Sequence, residues 1–173
     1  MPAVVLRPVV PCDADDVWRI FQAVVAGGDT YYFPPGTGRT DAIDYLIGDF
    51  VTFVAELNDA PPPAGSNASA RVVGVYKLVP NHPGLGSHVA NASFMVDPAA
   101  RGKGVGRAMG EHCLAQARQA GYEAMQFNFV VSTNTTAVDL WKKLGFSIVG
   151  TLPRTFQHAR LGLVDAYVMH RFL

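Results

Sequence analysis

The sequence predicts an α+β fold: a mostly antiparallel central sheet of about seven strands flanked by about four helices. Three observations carry this. The apolar, β-branched runs Phe50 to Leu57, Arg71 to Val79 and Val89 to Val96 follow one another with no helical period between them, so they pair antiparallel. Helical periods appear only before the first of these runs and after the last. Two further strand-like runs close the chain.

Taken in order, Ala3 to Val10 is a short strand at or near a sheet edge, because it carries Pro8 and proline cannot donate to a ladder. Asp13, with Asp16 three residues on, reads as the N-cap of a helix in which Val17, Ile20, Phe21, Val24 and Val25 recur at helical spacing. Gly27-Gly28 ends it. Asp29 to Arg39 holds Tyr31, Tyr32 and Phe33 ahead of Pro34-Pro35-Gly36, an aromatic loop that serves as a lid over the core, as the wall of a pocket, or as both. Asp41 to Ile47 is a second, short helix. Asn58 to Ala70, rich in Pro, Gly, Ser and Ala, reads as an exposed, mobile hairpin loop between the first two of the three strands.

Val89 to Val96 runs through Asp97-Pro98 into a glycine-rich loop, and Val105 to Ala120 then forms a helix of about four turns stopped at Gly121. Glu123 to Val131 is an apolar strand. Ser132-Thr133-Asn134 caps the last helix, whose buried side is Ala137, Val138, Leu140, Trp141 and Leu144 and whose stop is Gly145. Phe146 to Leu152 and Leu163 to Phe172 are the closing strands, with a loop from Pro153 to Gly162. The order is β-α-α-β-β-β-α-β-α-β-β.

Composition narrows the function. A length of 173 residues fits one domain spanning 1–173. With 49% hydrophobic and 16% charged residues the chain is globular rather than disordered. Fourteen basic residues balance fourteen acidic ones, so nothing recommends nucleic acid or an anionic membrane as partner. The two cysteines form no disulfide framework, Cys113 reads as a small buried hydrophobe, and no Cys/His cluster has the spacing of a metal site. There is no signal-like N-terminus and no run of about 18 apolar residues, which reads as a cytoplasmic protein. Oligomeric state stays open, with a homodimer as one alternative.

The stretch Phe94 to Gly106 is where chemistry concentrates. A strand ends in a loop with glycines at 102, 104 and 106 that opens into a helix, so backbone N–H groups and a helix dipole converge on an anion site. The commoner glycine motifs fail. G-x-G-x-x-G requires glycine where Arg107 or Met109 stands, and a nucleotide-triphosphate loop requires Ser or Thr where Gly104 follows Lys103. Arg101-x-x-Gly104-x-Gly106 instead fits R/Q-x-x-G-x-G/A.

That loop, with Asn134-x-x-Ala137-x-x-Leu140-Trp141-x-x-x-Gly145-Phe146 downstream, resembles the two signatures of the GNAT N-acetyltransferases, in the family's order. The resemblance implies acetyl-CoA as cosubstrate. Its pyrophosphate would lie on the backbone of Arg101, Gly102, Lys103, Gly104, Val105, Gly106 and Arg107, with Arg101 and Lys103 adding charge and Lys142 or Lys143 reaching the nucleotide phosphates. Its pantetheine arm would pair with backbone groups of Phe94, Met95 and Val96, and Asn134 would bond it from the other side. Two departures stand out. Trp141 occupies the place of the family's frequent tyrosine, leaving no general acid there, although a thiol of pKa about 8.5 leaves tolerably without one. The strand before the loop has no glutamate base, only Asn91 and Ser93, with His88 at its start, so the amine loses its proton to water or arrives neutral.

From about Gly74 to Leu173 the pattern is also similar to the yeast-type N-acetyltransferases of L-azetidine-2-carboxylate and other proline analogues. Carried by Asn91-Ala-x-Phe94, Phe127-Asn128-x-Val130 and the Trp141 segment, it implies that Asn91 and Asn128 hold and polarise a small amino-acid substrate while Phe94 shapes the pocket. Tyr31 and Tyr32 are candidate pocket walls. Read from the residues alone, Asn128 in an apolar strand has either a structural partner or a ligand. Strict alternation puts Asn91 and Phe94 on opposite faces, so a shared cleft requires a bulge between them. The expected activity is acetyl transfer to a small-molecule amine by direct attack. The alternatives are a protein or peptide amine acetyltransferase with an open groove, and a module that binds acyl-CoA without catalysis.

Overall fold

The computed structural model describes residues 3–58 and 71–173. Its elements are β1 (Ala3–Pro8), α1 (Ala14–Val25), α2 (Arg39–Leu46), β2 (Val51–Asn58), β3 (Val72–Pro80), β4 (Val89–Val96), α3 (Val105–Gln119), β5 (Ala124–Val131), α4 (Thr135–Lys143), β6 (Ser147–His158) and β7 (Gly162–Phe172). The fold is the α+β architecture the sequence predicts. The seven strands form one sheet in the order β1-β2-β3-β4-β5-β7-β6, antiparallel at every junction except β4–β5. Pro8 lies in the edge strand β1. The loop expected over 58–70 lies, apart from Asn58, outside the described residues.

Alternation along the strands divides the core in two. Val54, Val75 and Met95 face α1 and α2, packing on Val17, Ile20 and Phe21. Phe53, Ala55 and Tyr76 face the other way, onto a cluster with Met109 and Cys113 of α3 and Val138 and Trp141 of α4. Cys113 is fully buried, and burial pushes its thiol up. Among the described residues no helix is long and apolar enough to cross a membrane.

Two expectations are corrected. Asp13 does not cap α1: it sits in a 3-10 turn (Pro11–Asp13) and its carboxylate accepts from Arg7 Nη1 and Nη2 (2.7 and 2.8 Å) and from the Val10 N–H (2.8 Å). A paired guanidinium outcompetes a helix end for a buried carboxylate, and the same pairing lowers its pKa against the opposing effect of burial. The segment 153–158 is strand rather than loop. Register with β7 breaks between Leu152 and Phe156, so Pro153 falls where no ladder N–H is required, and the Arg154 N–H donates instead to Asp165 Oδ1 (2.8 Å). Arg154 takes φ 51°, the cost of that irregularity.

The β4–β5 junction positions the site. These strands pair only at Val89↔Ala124 and Ala90↔Met125, and β5 breaks register with β7 between Phe127 and Val130. Beyond Ala90 the two strands part, and the sheet is open between them.

Candidate active site

At the far end of β4, Asp97 Oδ1 accepts from the Ala99 N–H (2.9 Å) and starts the 3-10 turn Pro98–Ala100. Arg101 and Lys103 spend their N–H groups inside the turn, on the carbonyls of Pro98 and Ala100 (3.3 Å each). Gly102 and Gly104 take φ 78° and 82°, and the place a Cβ would occupy at either has no atom within 4 Å. Gly104 precedes α3, whose first ladder bond is Ala108 N–H to the Gly104 carbonyl (3.0 Å). The N–H groups of the helix's first turn, Val105 to Arg107, therefore lack partners in their own helix and share an end with an uncovered backbone, a geometry suited to an anion. The Arg107 guanidinium is paired with Glu111 (2.8 Å), so Arg107 contributes its backbone.

Register assigns the backbone of β4. Asn81 N–H donates to Val89 and Asp97 N–H to Val73, so the alternating antiparallel ladder turns the main chain of residues 91, 93 and 95 towards β3. That of residues 92, 94 and 96 turns to the gap. Tyr31 Oη confirms the direction by donating to the Phe94 carbonyl (2.7 Å). Of the three residues expected to pair with an extended ligand, Met95 instead directs its backbone to β3 and buries its side chain under α1 and α2.

No bulge separates Asn91 from Phe94, because β3–β4 register is unbroken from Gly74↔Val96 to Pro80↔Ala90. They face opposite sides of the sheet, and both still line one pocket of about 240 Å³, because the parted strands leave it open through both faces. Its other walls are Thr30, Tyr31 and Tyr32 from the α1–α2 loop, Tyr45 of α2, Ala92 and Ser93 of β4, Phe127 to Val131 of β5, Asn134 at the cap of α4, and Ala137 and Trp141 of α4. The aromatic loop is thus wall and lid together: Phe33 packs into the core against Phe21 and Tyr45, while Tyr32 stands edge-on to Phe129. Trp141 packs on Phe94 and Phe127 (4.8 Å between ring centres in each case). Asn134 caps α4, accepting from the Ala137 N–H (3.3 Å), which leaves its amide nitrogen as a donor at the pocket.

Asn128, expected to have a structural partner or a ligand, has structural partners, and it is not buried as its apolar strand suggests. It is exposed at the β5 irregularity, with a structural partner on each side: Gln126 Nε2 donates to its Oδ1 (2.9 Å), and its Nδ2 donates to Asn81 Oδ1 (2.7 Å). Lys143 lies exposed in the last turn of α4, at the opposite end from Asn134, where its charge suits the helix C-terminus. His88 is exposed ahead of β4 and does not line the pocket. The sequence alone did not single out Thr30, Tyr45, Asn81 or Lys77, and it offered Ser93 only as a polar residue of the strand before the loop. Only Lys77, a charge within an otherwise apolar strand, carried any local signal.

Every polar side chain lining the pocket is uncharged: Thr30, Tyr31, Tyr32, Tyr45, Asn91, Ser93, Asn128 and Asn134. Burial pushes the Tyr31 and Tyr45 hydroxyls up, so both stay protonated around neutral pH.

The Acetyltransferase (GNAT) family model matches residues 29–146, which span the aromatic loop, the glycine loop and the whole gap. This chain belongs to the GNAT acetyltransferase family. Within that family it is 30% identical over 148 residues to the N-acetyltransferase aca1 of Schizosaccharomyces pombe, covering 82% of this chain and 71% of that one. A GCN5-related N-acetyltransferase from Kribbella flavida shares the GNAT fold with a TM-score of 0.89 and 39% identity over 99% of this chain and 98% of that one. A phosphinothricin acetyltransferase from Sinorhizobium meliloti, solved with AcCoA, has the same fold at a TM-score of 0.80 and 20% identity, over 98% and 88% of the chains. Membership makes the protein an acyltransferase.

Proposed function

We propose that the protein moves the acetyl group of acetyl-CoA to the amine of a small molecule, a proline analogue or another amino acid, by direct attack. The observation that supports this most is the gap itself: a glycine loop suited to a pyrophosphate at one end and a walled pocket of uncharged polar and aromatic groups along it. The N–H groups of Val105, Gly106 and Arg107 would hold the pyrophosphate, the gap-facing backbone of Phe94 and Val96 the arm, and Asn134 Nδ2 its other side. Resemblance to the proline-analogue enzymes supports Asn91 and Asn128 as the groups that orient the acceptor.

The amine lone pair attacks the thioester carbonyl carbon, the C–S bond breaks, and the amine proton leaves to water while the thiolate is protonated from solvent. Trp141 has no titrating proton, and Tyr31 commits its own to Phe94, so neither serves as acid. Cys113 is sealed in the core, so no acyl-cysteine intermediate is invoked.

Thiol release from acetyl-CoA, followed across amines that include azetidine-2-carboxylate and hydroxyprolines, tests the reading. Turnover with one of them and unchanged turnover in Cys113→Ala are expected. Tight acetyl-CoA binding with silence across the set would overturn it in favour of a binding module.

A further inference from the structure

Lys77 is a buried cation with no buried anion beside it. It is 7% exposed, its Nζ donates to the Tyr45 carbonyl (2.6 Å), and it stands 3.5 Å from the centre of the Tyr45 ring and 4.4 Å from that of Phe50. Its neighbours in the ladder are Thr52 of β2, whose hydroxyl is spent on the Leu46 carbonyl, and Ser93 of β4. Tyr45 is the one titratable group facing it in these contacts. The acids of the adjoining segment, Asp41, Asp44 and Asp49, are exposed, and among the described residues none forms an ion pair with it. Burying an ammonium against aromatic faces and one carbonyl leaves most of its charge uncompensated.

That charge lies directly behind a wall of the acceptor pocket. Ser93 Oγ and Tyr45 Oη are hydrogen-bonded at 2.7 Å, both residues line the pocket, and every polar group of the lining is itself neutral. We infer that the acceptor carries a carboxylate, seated against the Tyr45 and Ser93 hydroxyls in the field of Lys77. This rests on the small-molecule acetyl-transfer reading, which already takes amino acids as acceptors, and adds to it the groups that seat their carboxylate. Lys77 is then a positioning residue, acting through Tyr45 and through its charge. Burial holds its ammonium at about 8, so it is charged at pH 7 and discharges just above. A bound carboxylate, by linkage, pulls that value back up.

The test compares an amino acid such as azetidine-2-carboxylate or proline with its own carboxamide as acceptor, on the wild type, Lys77→Met and Lys77→Arg. The wild type is expected to show a KM for the carboxylate about tenfold or more below that for the carboxamide. Lys77→Met raises the carboxylate KM alone, leaving kcat within about twofold, and Lys77→Arg restores the preference. Comparing ratios between proteins cancels the different basicity of the two amines. Between pH 7 and pH 9 the wild-type preference fades relative to that of Lys77→Met measured at the same pH. A carboxylate-to-carboxamide KM ratio that is the same in the wild type and in Lys77→Met would overturn the inference.

Thermal shifts by the same ligand pairs in the presence of CoA make the comparison without turnover. A carboxylate-selective shift that Lys77→Met abolishes, with no turnover on any amine, would fell the acetyl-transfer reading and leave the anion site standing. If Lys77→Met does not fold, Lys77→Gln, which keeps a donor for the Tyr45 carbonyl without the charge, takes its place in the same ratios.

Discussion

Arg19, in the middle of α1, grips Asp97 at the last position before the glycine loop turns, with Nη1 2.5 Å from Oδ2. Its other nitrogens bond Asp16 (2.9 Å) and the Val72 carbonyl (2.8 Å), so one guanidinium ties a helix to the ends of two strands. Asp97 is 5% exposed. Burial alone would push its carboxyl up, but the Ala99 N–H and the Arg19 guanidinium more than offset that and hold it below the usual carboxylate range. A carboxylate depressed in the folded state stabilises fully above its unfolded value of about 4, and that stability is lost as pH falls through the lower folded value.

Arg19→Met should therefore weaken donor binding from a distance. Leaving Asp97 with the Ala99 N–H and, as its cation among the described residues, the more distant Arg71 at 3.5 Å is expected to cost about 2–4 kcal/mol in urea unfolding at pH 7 and to raise the Kd for CoA about tenfold by calorimetry. A purely structural tie predicts something else: a smaller folded fraction whose remaining molecules bind CoA as tightly as the wild type.

Gly104→Ala separates conformation from space. At φ 82° an L-residue is strained, yet a Cβ there has no atom within 4 Å. The cost is expected to be about 1–2 kcal/mol of stability with no clash to relieve, and a CoA affinity reduced about tenfold as the first turn of α3 shifts. Unaltered CoA affinity would mean that the cradle does not depend on this conformation.

The turn at the glycine loop and the Asn134 cap were legible because both are local: positive φ at Gly102 and Gly104, and a cap bond from the Ala137 N–H to Asn134 Oδ1, depend on residues a few places apart. The pocket between β4 and β5 was not, because it is assembled by register. Tyr45 and Ser93 meet from 48 positions apart, and Asn128 meets Asn81 from 47. No local pattern announces such pairs. Alternation did place Asn91 and Phe94 on opposite faces, but a bulge was the wrong remedy, since it is parting of β4 from β5 that opens both faces to one pocket. Pro153 misled because proline signals a loop more often than it signals an irregular edge strand.

Asn81 should matter to the acceptor through Asn128. With Gln126 donating to its Oδ1 and its own Nδ2 donating to Asn81, the Asn128 carboxamide is fixed in plane, and its remaining N–H and lone pair have set directions. Asn128→Ala is expected to raise the acceptor KM by about tenfold or more, and Asn81→Ala by a smaller factor of about three to ten. Both should leave stability within about 0.5 kcal/mol, because Asn128 is exposed. An acceptor KM that responds to Asn128→Ala and ignores Asn81→Ala would remove Asn81 from the site.

Lys77 gives the alkaline side of the stability curve an unusual sign. Its ammonium is held at about 8 in the fold against 10.5 when solvated, by burial. Between those values the unfolded chain binds more protons than the folded one, so stability rises with pH across the window. Below about 8 both states are charged and the fold bears the full desolvation cost; above 10.5 both are neutral and that cost is gone. Chemical denaturation at pH 7, 8, 9 and 10 should show the wild type gaining on Lys77→Met with each step. A constant difference would mean that the Tyr45 carbonyl and the two aromatic faces already compensate the charge completely, which would equally remove the reason for an anion to bind beside it.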